Sequence, residues 1–133
     1  MPVTLKWLGE GMRFAGGPEN GPLSVVDGDG QVGQSPMTTF LMGLAGCTAS
    51  DIIDIAGKMR VSIATLDVAA VEERREESPR HYTRLKLSYR VTGVAEEDRP
   101  KIERAVALSH EKYCSALHSI RKDVPVETEV TFE

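Results

Sequence analysis

The feature that most constrains the fold is the run from Ser35 to Arg60, the longest stretch that is typical of a single helix. Ser35 is a suitable N-cap, and Pro36 suits the first helical position because its missing N–H is not needed there. At about 1.5 Å per residue, such a helix is on the order of 35 Å long, roughly the width of a small domain. We therefore predict a central helix with the rest of the chain packed around it.

Apolar side chains point to nearly every side of this predicted helix rather than to one face. They are Phe40, Leu41, Met42, Leu44, Ile52, Ile53, Ile55 and Met59. Small residues cluster around Cys47, near the middle of the run, although glycine weakens a helix. The pattern predicts a helix covered on most sides, with a partner helix or a ligand close to its backbone near Cys47.

Size and charge restrict the class of protein. A chain of 133 residues predicts a single domain, residues 1–133, which gains stability by dimerising. The net charge of −4 argues against a nucleic-acid partner or an anionic membrane surface. The first residues lack the basic and apolar regions of a leader, and no run of about 18 uninterrupted apolar residues offers a membrane span. We expect a cytoplasmic protein with no nucleic-acid or membrane partner.

Alternating apolar and polar residues predict strands at 3–7, 12–15 and 23–26, before the long helix. The polar tract 27–34 is typical of a turn. After the long helix, the alternation predicts a hairpin over residues 66–91, an amphipathic helix that opens near Glu96 and places Tyr113 on its apolar stripe, and a final strand over 124–132. This order predicts an α+β domain with antiparallel sheet around a central helix.

The two cysteines carry most of the chemical question. Cys47 lies inside the first predicted helix and Cys114 near the end of the second, and there is no C-x-x-C motif. In a reducing compartment such a pair is either two buried thiols or a redox pair, and the residues alone leave both interpretations open.

A redox role for Cys47 requires a nearby cation. Asp51 and Asp54 follow Cys47 by four and seven residues, and an unpaired carboxylate there raises the pKa of a thiol. The helix N-terminus is too far away to help. Arg13 and Lys58 are the candidate cations.

A metal site is an alternative. His110, Cys114 and His118 recur every four residues, which places them on one face of an unbroken helix, and imidazole with thiolate suits zinc. No fourth ligand is evident and solvated histidines are more common, so we predict neither a metal nor a cofactor. An acid–base role also remains an alternative for Asp51, Asp54 and Glu10, although exposed helix and turn charges are the more common explanation.

Several motifs together resemble the OsmC/Ohr family, in its OsmC-like, YhfA-type branch. The motifs are Ser35-Pro36-Met37, residues 40–49 (FLMGLAGCTA), residues 73–80 (ERREESPR), Val91-Thr92-Gly93 and residues 111–115 (EKYCS). They span nearly the whole chain. The resemblance implies the OsmC-like fold, an intertwined homodimer in which two long central helices pack together and sheets from both subunits wrap around them.

The resemblance also implies a chemistry for the two cysteines. Cys47 would attack an organic hydroperoxide and become a sulfenic acid, and Cys114 would resolve it as a disulfide. An external dithiol reductant, a lipoyl group in some relatives, would then restore the thiols. No cofactor is implied.

One position departs from the pattern of the peroxidatic relatives. They carry a glutamate directly after the proline that begins the helix, and this acid holds an arginine over the thiolate. Here that position is Met37, and Arg13 lies in the matching region to be the arginine. Two functions therefore stay open, a thiol-dependent peroxidase and a non-catalytic, stress-related dimer that binds an apolar ligand in its interface pocket.

Overall fold

The computed structural model describes residues 2–133 and divides into two compact units, Met1–Met42 and Gly43–Glu133. The long helix α1, Pro36–Lys58, begins in the first unit and continues into the second. Ser35 caps it as predicted, because its Oγ accepts the N–H of Thr38 at 3.2 Å. Arg60, with φ of 61°, follows its end. The predicted long helix is confirmed to within two residues at its C-terminal end.

The first unit contains an antiparallel sheet in the order β1-β2-β3. The strands are β1, Val3–Trp7; β2, Arg13–Pro18; and β3, Ser24–Asp27. Their apolar side chains are largely exposed, with Val3 77% and Trp7 56% accessible. Among the described residues of this unit only Asp27 is buried, so the sheet has no apolar core of its own.

Asp27 organises the loop that leads to α1. Its carboxylate accepts backbone N–H groups from Asp29 at 2.9 Å, Gln31 at 3.2 Å and Val32 at 2.9 Å, and lies 3.7 Å from Arg13 Nε. The N–H groups of Val32 and Asp29 are the main reason that the pKa of Asp27 is lowered from its ordinary value of 3.8. The tract that the sequence predicted as a plain turn is therefore held by a buried carboxylate.

The second unit contains a sheet in the order β4-β5-β6. The strands are β4, Thr65–Arg74; β5, Tyr82–Thr92; and β6, Val126–Phe132. β4 and β5 form the predicted antiparallel hairpin, whereas β6 runs parallel to β5. The expectation of purely antiparallel sheet is thus corrected. Between β5 and β6 the chain crosses through the helix α2, Arg99–Leu108, and such a crossover returns the next strand in the same direction.

The core of the second unit lies between β5 and the two helices. Alternate residues of β5 are buried, as their period predicts: Leu85, Leu87, Tyr89 and Val91. Ile52 of α1 and Val106 of α2 pack with Leu87 and Tyr89, while Ala56 and Ile102 pack with Val91. Two helices and one sheet face therefore share a continuous apolar layer.

Within this chain α1 is buried along one stripe only. The buried residues recur every fourth position: Leu44, Thr48, Ile52 and Ala56. The expectation of a helix covered on most sides is not met by the chain itself, because Met42 is 57% and Ile53 52% exposed. Among the described residues, α1 alone is long and apolar enough to span a membrane, with mean hydropathy 1.3, but core helices pass the same test.

α2 is shorter than the sequence suggested. It ends at Leu108 and gives way to a π-helical turn, Ser109–Tyr113. The wider turn rotates the following residues away from the apolar stripe, so Tyr113 is 50% exposed rather than buried with Ile102 and Val106. Cys114 comes directly after this turn, in extended conformation, and not on a regular helix.

Candidate functional site

The fold brings the two predicted cysteines together. Cys47 lies midway along α1 and Cys114 follows the π-helical turn. The two Sγ atoms and one carboxylate oxygen of Asp51 all lie within 4.8 Å of one another. Both cysteines are free thiols. Sequence spacing alone did not predict the proximity of the two sulfurs, because it depends on how α2 packs. It did place Asp51 one helical turn after Cys47.

The two thiols differ in exposure. Cys47 is half-buried, whereas Cys114 is fully buried and its Sγ accepts the backbone N–H of Leu117 at 3.4 Å. Burial raises the pKa of the Cys114 thiol to about 11, with the Leu117 N–H acting in the opposite direction and the hydrogen bond and charge of Cys47 adding to the rise. Cys114 is therefore a protonated thiol at neutral pH, and Cys47 is the sulfur that a dissolved reagent can reach.

Ser109 connects α1 to the segment that carries Cys114. Its hydroxyl donates to Asp51 Oδ2 at 2.9 Å, and its carbonyl accepts the N–H of Cys114 at 2.8 Å. Ser109 is fully buried. Through its hydroxyl and its carbonyl, Ser109 thus fixes the position of Cys114 relative to Asp51. Ser109 is not predicted from the sequence, because no local signal identifies a partner 58 residues from Asp51.

A polar pair, the buried Tyr89 and the half-buried His110, lies near Cys114. The Tyr89 hydroxyl and His110 Nε2 are 2.7 Å apart. Burial lowers the pKa of His110, which favours the neutral imidazole, and the tautomer of that ring sets which of the two groups donates. Burial also raises the pKa of Tyr89 to about 12, against the opposing effect of a hydrogen bond with Thr48. Both groups are uncharged at neutral pH and contribute rigidity rather than a cation.

The histidine-based metal hypothesis is not supported by the geometry. The π-helical turn interrupts the helix, so His110, Cys114 and His118 do not share one helical face. His110 Nε2 is bonded to Tyr89, and His118 Nε2 lies 3.1 Å from the His110 carbonyl oxygen. In each imidazole, Nε2 therefore already has a hydrogen-bond partner within the protein.

Each candidate cation has a carboxylate partner within its own unit. Arg13 Nε lies 3.7 Å from Asp27, and its NH1 lies 3.6 Å from Glu10. Lys58 Nζ lies 3.0 Å from Asp54, one helical turn before it, so both are occupied by a local ion pair. Arg13 as the cation for Cys47 stays a prediction.

A cleft of about 360 Å³ borders Asp51. Its lining combines apolar side chains with a charged rim: Asp51, Asp54, Ile55, Lys58, Met59, Leu108 and Tyr113. This volume falls in the lower range of sites for small organic ligands. An organic molecule bound there lies beside Asp51, which has one carboxylate oxygen within 4.8 Å of both sulfurs.

Comparison with known proteins identifies the family to which the chain belongs. The sequence model of the family described as OsmC-like protein matches residues 28–129. The protein YhfA of Escherichia coli strain K12 is 39% identical over 127 residues, covering 95% of this chain and 93% of YhfA.

Solved structures agree at the level of the fold. An OsmC-like protein from Mycoplasma pneumoniae superposes with a TM-score of 0.82 at 15% identity, over 98% of this chain and 95% of that one. The organic hydroperoxide resistance protein OhrB of Bacillus subtilis superposes with a TM-score of 0.62 at 20% identity, over 98% and 96%. Given the family match over most of its length and its identity to YhfA, the chain belongs to the OsmC-like protein family.

Proposed function

We propose that the protein is a thiol-dependent peroxidase that reduces organic hydroperoxides, with Cys47 as the nucleophile and Cys114 as the resolving thiol. The observation that carries the proposal is the pairing of two free sulfurs within 4.8 Å, one half-buried and one fully buried. A dissolved reagent reaches Cys47 first. The oxidised Cys47 then has the Cys114 thiol close enough to react with it.

The reaction balances with these two residues and a dithiol. The Cys47 thiolate attacks the terminal peroxide oxygen, which breaks the O–O bond and gives a Cys47 sulfenic acid and an alcohol. The Cys114 thiol then attacks the sulfenic sulfur, forming a disulfide and releasing water. An external dithiol reduces the disulfide by thiol–disulfide exchange and is itself oxidised.

The local structure allows the disulfide to form. The sulfurs must approach from at most 4.8 Å to about 2.0 Å. Cys114 lies on an irregular segment between a π-helical turn and a short 3-10 helix, Leu117–Ser119, rather than inside a rigid helix. A change of side-chain rotamer and a small movement of this segment close the remaining distance.

Two further observations support an organic substrate. The cleft beside Asp51 offers an apolar wall to the organic part of a hydroperoxide. Structural neighbours include proteins named for organic hydroperoxide resistance, from Bacillus subtilis and Legionella pneumophila.

We also propose that the protein acts as a cytoplasmic homodimer. The support is the amount of apolar surface that the chain leaves exposed, which includes Val3, Leu5, Trp7, Met42 and Ile53, each more than half accessible. Val3, Leu5 and Trp7 alternate along β1 and therefore share one face of that strand, and a contiguous exposed apolar patch is typical of an interaction surface.

The test is consumption of cumene hydroperoxide with dihydrolipoamide or dithiothreitol as reductant. Wild type should turn over many times, Cys47→Ser should have no activity, and Cys114→Ser should complete one oxidation per chain and then depend on direct reduction by the added thiol. Full activity in Cys47→Ser would contradict the proposal.

A second function is favoured by one observation, that Met37 stands where peroxidatic relatives have a glutamate. In that alternative the protein is a non-catalytic dimer that binds an apolar ligand. It predicts no turnover with any hydroperoxide and an apolar molecule that copurifies with the protein and is detected by mass spectrometry. Met37→Glu discriminates the two: in a peroxidase it should leave activity unchanged or increase it, and in a binding protein it should create none.

A further inference from the structure

The cysteine pair and Asp51 form a cluster with a second chemical capacity. Two thiols and a carboxylate supply two sulfur ligands and one oxygen ligand, a set that suits Zn²⁺ and similar borderline divalent ions. Within the described residues, this is the group whose ligand atoms all lie within 4.8 Å of one another. It differs from the histidine set considered above, of which only Cys114 is shared.

The geometry needs little adjustment to hold an ion. With zinc–sulfur bonds of about 2.3 Å and tetrahedral angles, two sulfurs lie about 3.8 Å apart. Since the three atoms are already within 4.8 Å, the two sulfurs have to close by at most about 1 Å, and each sulfur–oxygen pair, with a target of about 3.5 Å, by at most about 1.3 Å. The half-buried Cys47 leaves a path by which the ion enters, and the fourth position is free for water.

The surroundings of the cluster resemble those of a metal site. Metal-bound carboxylates and thiolates are oriented by outer hydrogen bonds. Here the buried Ser109 hydroxyl holds Asp51 Oδ2, which leaves Oδ1 free, and the Leu117 N–H is directed at Cys114 Sγ. Asp51 forms no ion pair with any residue in the part of the chain that the structure describes, so no protein cation competes for its charge there.

We propose that the reduced protein binds one Zn²⁺-type ion per chain through Cys47, Asp51 and Cys114. Binding forms two metal–sulfur bonds and one metal–oxygen bond and releases the two thiol protons to water. The bound ion occupies the lone pairs that Cys47 uses as a nucleophile. The ion therefore protects both cysteines from modification.

The experiment is an anaerobic titration of the fully reduced protein with Co²⁺, followed by competition with Zn²⁺. Cobalt reports its own ligands, since thiolate ligation gives intense charge-transfer absorption and tetrahedral geometry gives strong d–d bands. We expect one Co²⁺ per chain, displaced by Zn²⁺, and we expect one equivalent of Zn²⁺ to slow alkylation of Cys47 by iodoacetamide. Neither readout requires peroxide, so a failure of the proposed peroxidase function leaves this result interpretable.

Matched variants locate the site. Asp51→Asn should weaken binding by at least about 10-fold, the loss that even an outer partner of a metal site causes, and Cys47→Ser should remove most of the charge-transfer band. Asp54→Asn is the control, because Asp54 lies on the same helix but is exposed and paired with Lys58; its affinity should equal that of wild type. Absence of stoichiometric binding by the reduced protein, or binding unchanged in Asp51→Asn or Cys47→Ser, would overturn the proposal.

Discussion

At the scale of single residues, Asp27 is the buried charge of the first unit, and its partners are three backbone N–H groups. An acid whose folded pKa is lowered stabilises the native state above its unfolded pKa, near 3.8, and loses that contribution as the pH falls through the lower folded value. The loop that precedes α1 therefore depends on the ionised form of Asp27.

We predict that Asp27→Asn lowers stability most at neutral pH. Denaturant midpoints of wild type and Asp27→Asn, measured between pH 7 and pH 2, should differ at neutral pH and converge in acid, where the wild-type carboxyl is protonated. Asp29→Asn is the control, since the Asp29 side chain is exposed. A difference that stays constant across the whole pH range would contradict this role for the charge.

Ser109 has the corresponding role beside the cysteines. Ser109→Ala leaves the half-buried Asp51 without its hydroxyl donor, and such a loss costs about 1–3 kcal/mol of unfolding free energy. It should also slow disulfide formation between Cys47 and Cys114 after a stoichiometric oxidant is added, because the segment that carries Cys114 is less firmly placed.

Ser50→Ala is the matched control. Ser50 lies on the exposed side of α1, and its hydroxyl donates to the Gly46 carbonyl oxygen of the same helix. This substitution should change neither stability nor the rate of disulfide formation by a measurable amount. If Ser109→Ala behaves like Ser50→Ala in both assays, the assigned link between α1 and Cys114 is wrong.

At the scale of elements, local signals predicted those parts of the fold that local physics determines. The cap at Ser35 and the apolar run after it were sufficient for α1, and the period of two in β5 identified Leu85, Leu87, Tyr89 and Val91 as the buried face. For both α1 and β5, the residue pattern that predicts the element lies within the element itself.

The elements that sequence reasoning missed depend on distant contacts. The parallel pairing of β6 is set by the crossover through α2, and β6 itself shows the same alternation as an antiparallel strand. The π-helical turn has no distinct residue pattern, so the sequence predicts a regular helix through Tyr113 and places Cys114 near its end rather than in the extended conformation that follows the turn. The motifs name Cys47 and Cys114, and helical spacing places Asp51 one turn after Cys47. Nothing in the sequence predicts that Asp51 also lies near Cys114 or that Ser109 bonds to Asp51.

The packing of α1 against β5 gives a stability prediction. Ile52 is fully buried against Leu87 and Tyr89, so Ile52→Ala should cost about 2–5 kcal/mol of unfolding free energy by leaving a cavity. Val71→Ala, at a position 62% exposed, should cost less than about 1 kcal/mol. Chemical denaturation of both variants checks the difference, and equal losses would argue against the described core.

At the scale of the whole molecule, exposed apolar side chains connect the fold to the proposed dimer. Ile53 is adjacent in sequence to the buried Ile52 but is 52% exposed within the chain. If a second copy covers α1, Ile53→Glu should shift the protein from dimer to monomer in sedimentation velocity at micromolar concentration. Asn20→Asp adds the same charge in an exposed turn and should leave the mass unchanged. A wild type that sediments as a monomer would refute the dimer.

The central claim, that Cys47 and Cys114 form a redox pair, is tested most directly by one stoichiometric measurement. Reduced protein is mixed with one equivalent of cumene hydroperoxide, and intact mass and free thiols are followed for wild type and Cys47→Ser. We predict rapid loss of both thiols in wild type with a mass decrease of two hydrogens, and no change in Cys47→Ser. Thiols that persist in wild type through an excess of peroxide would contradict it.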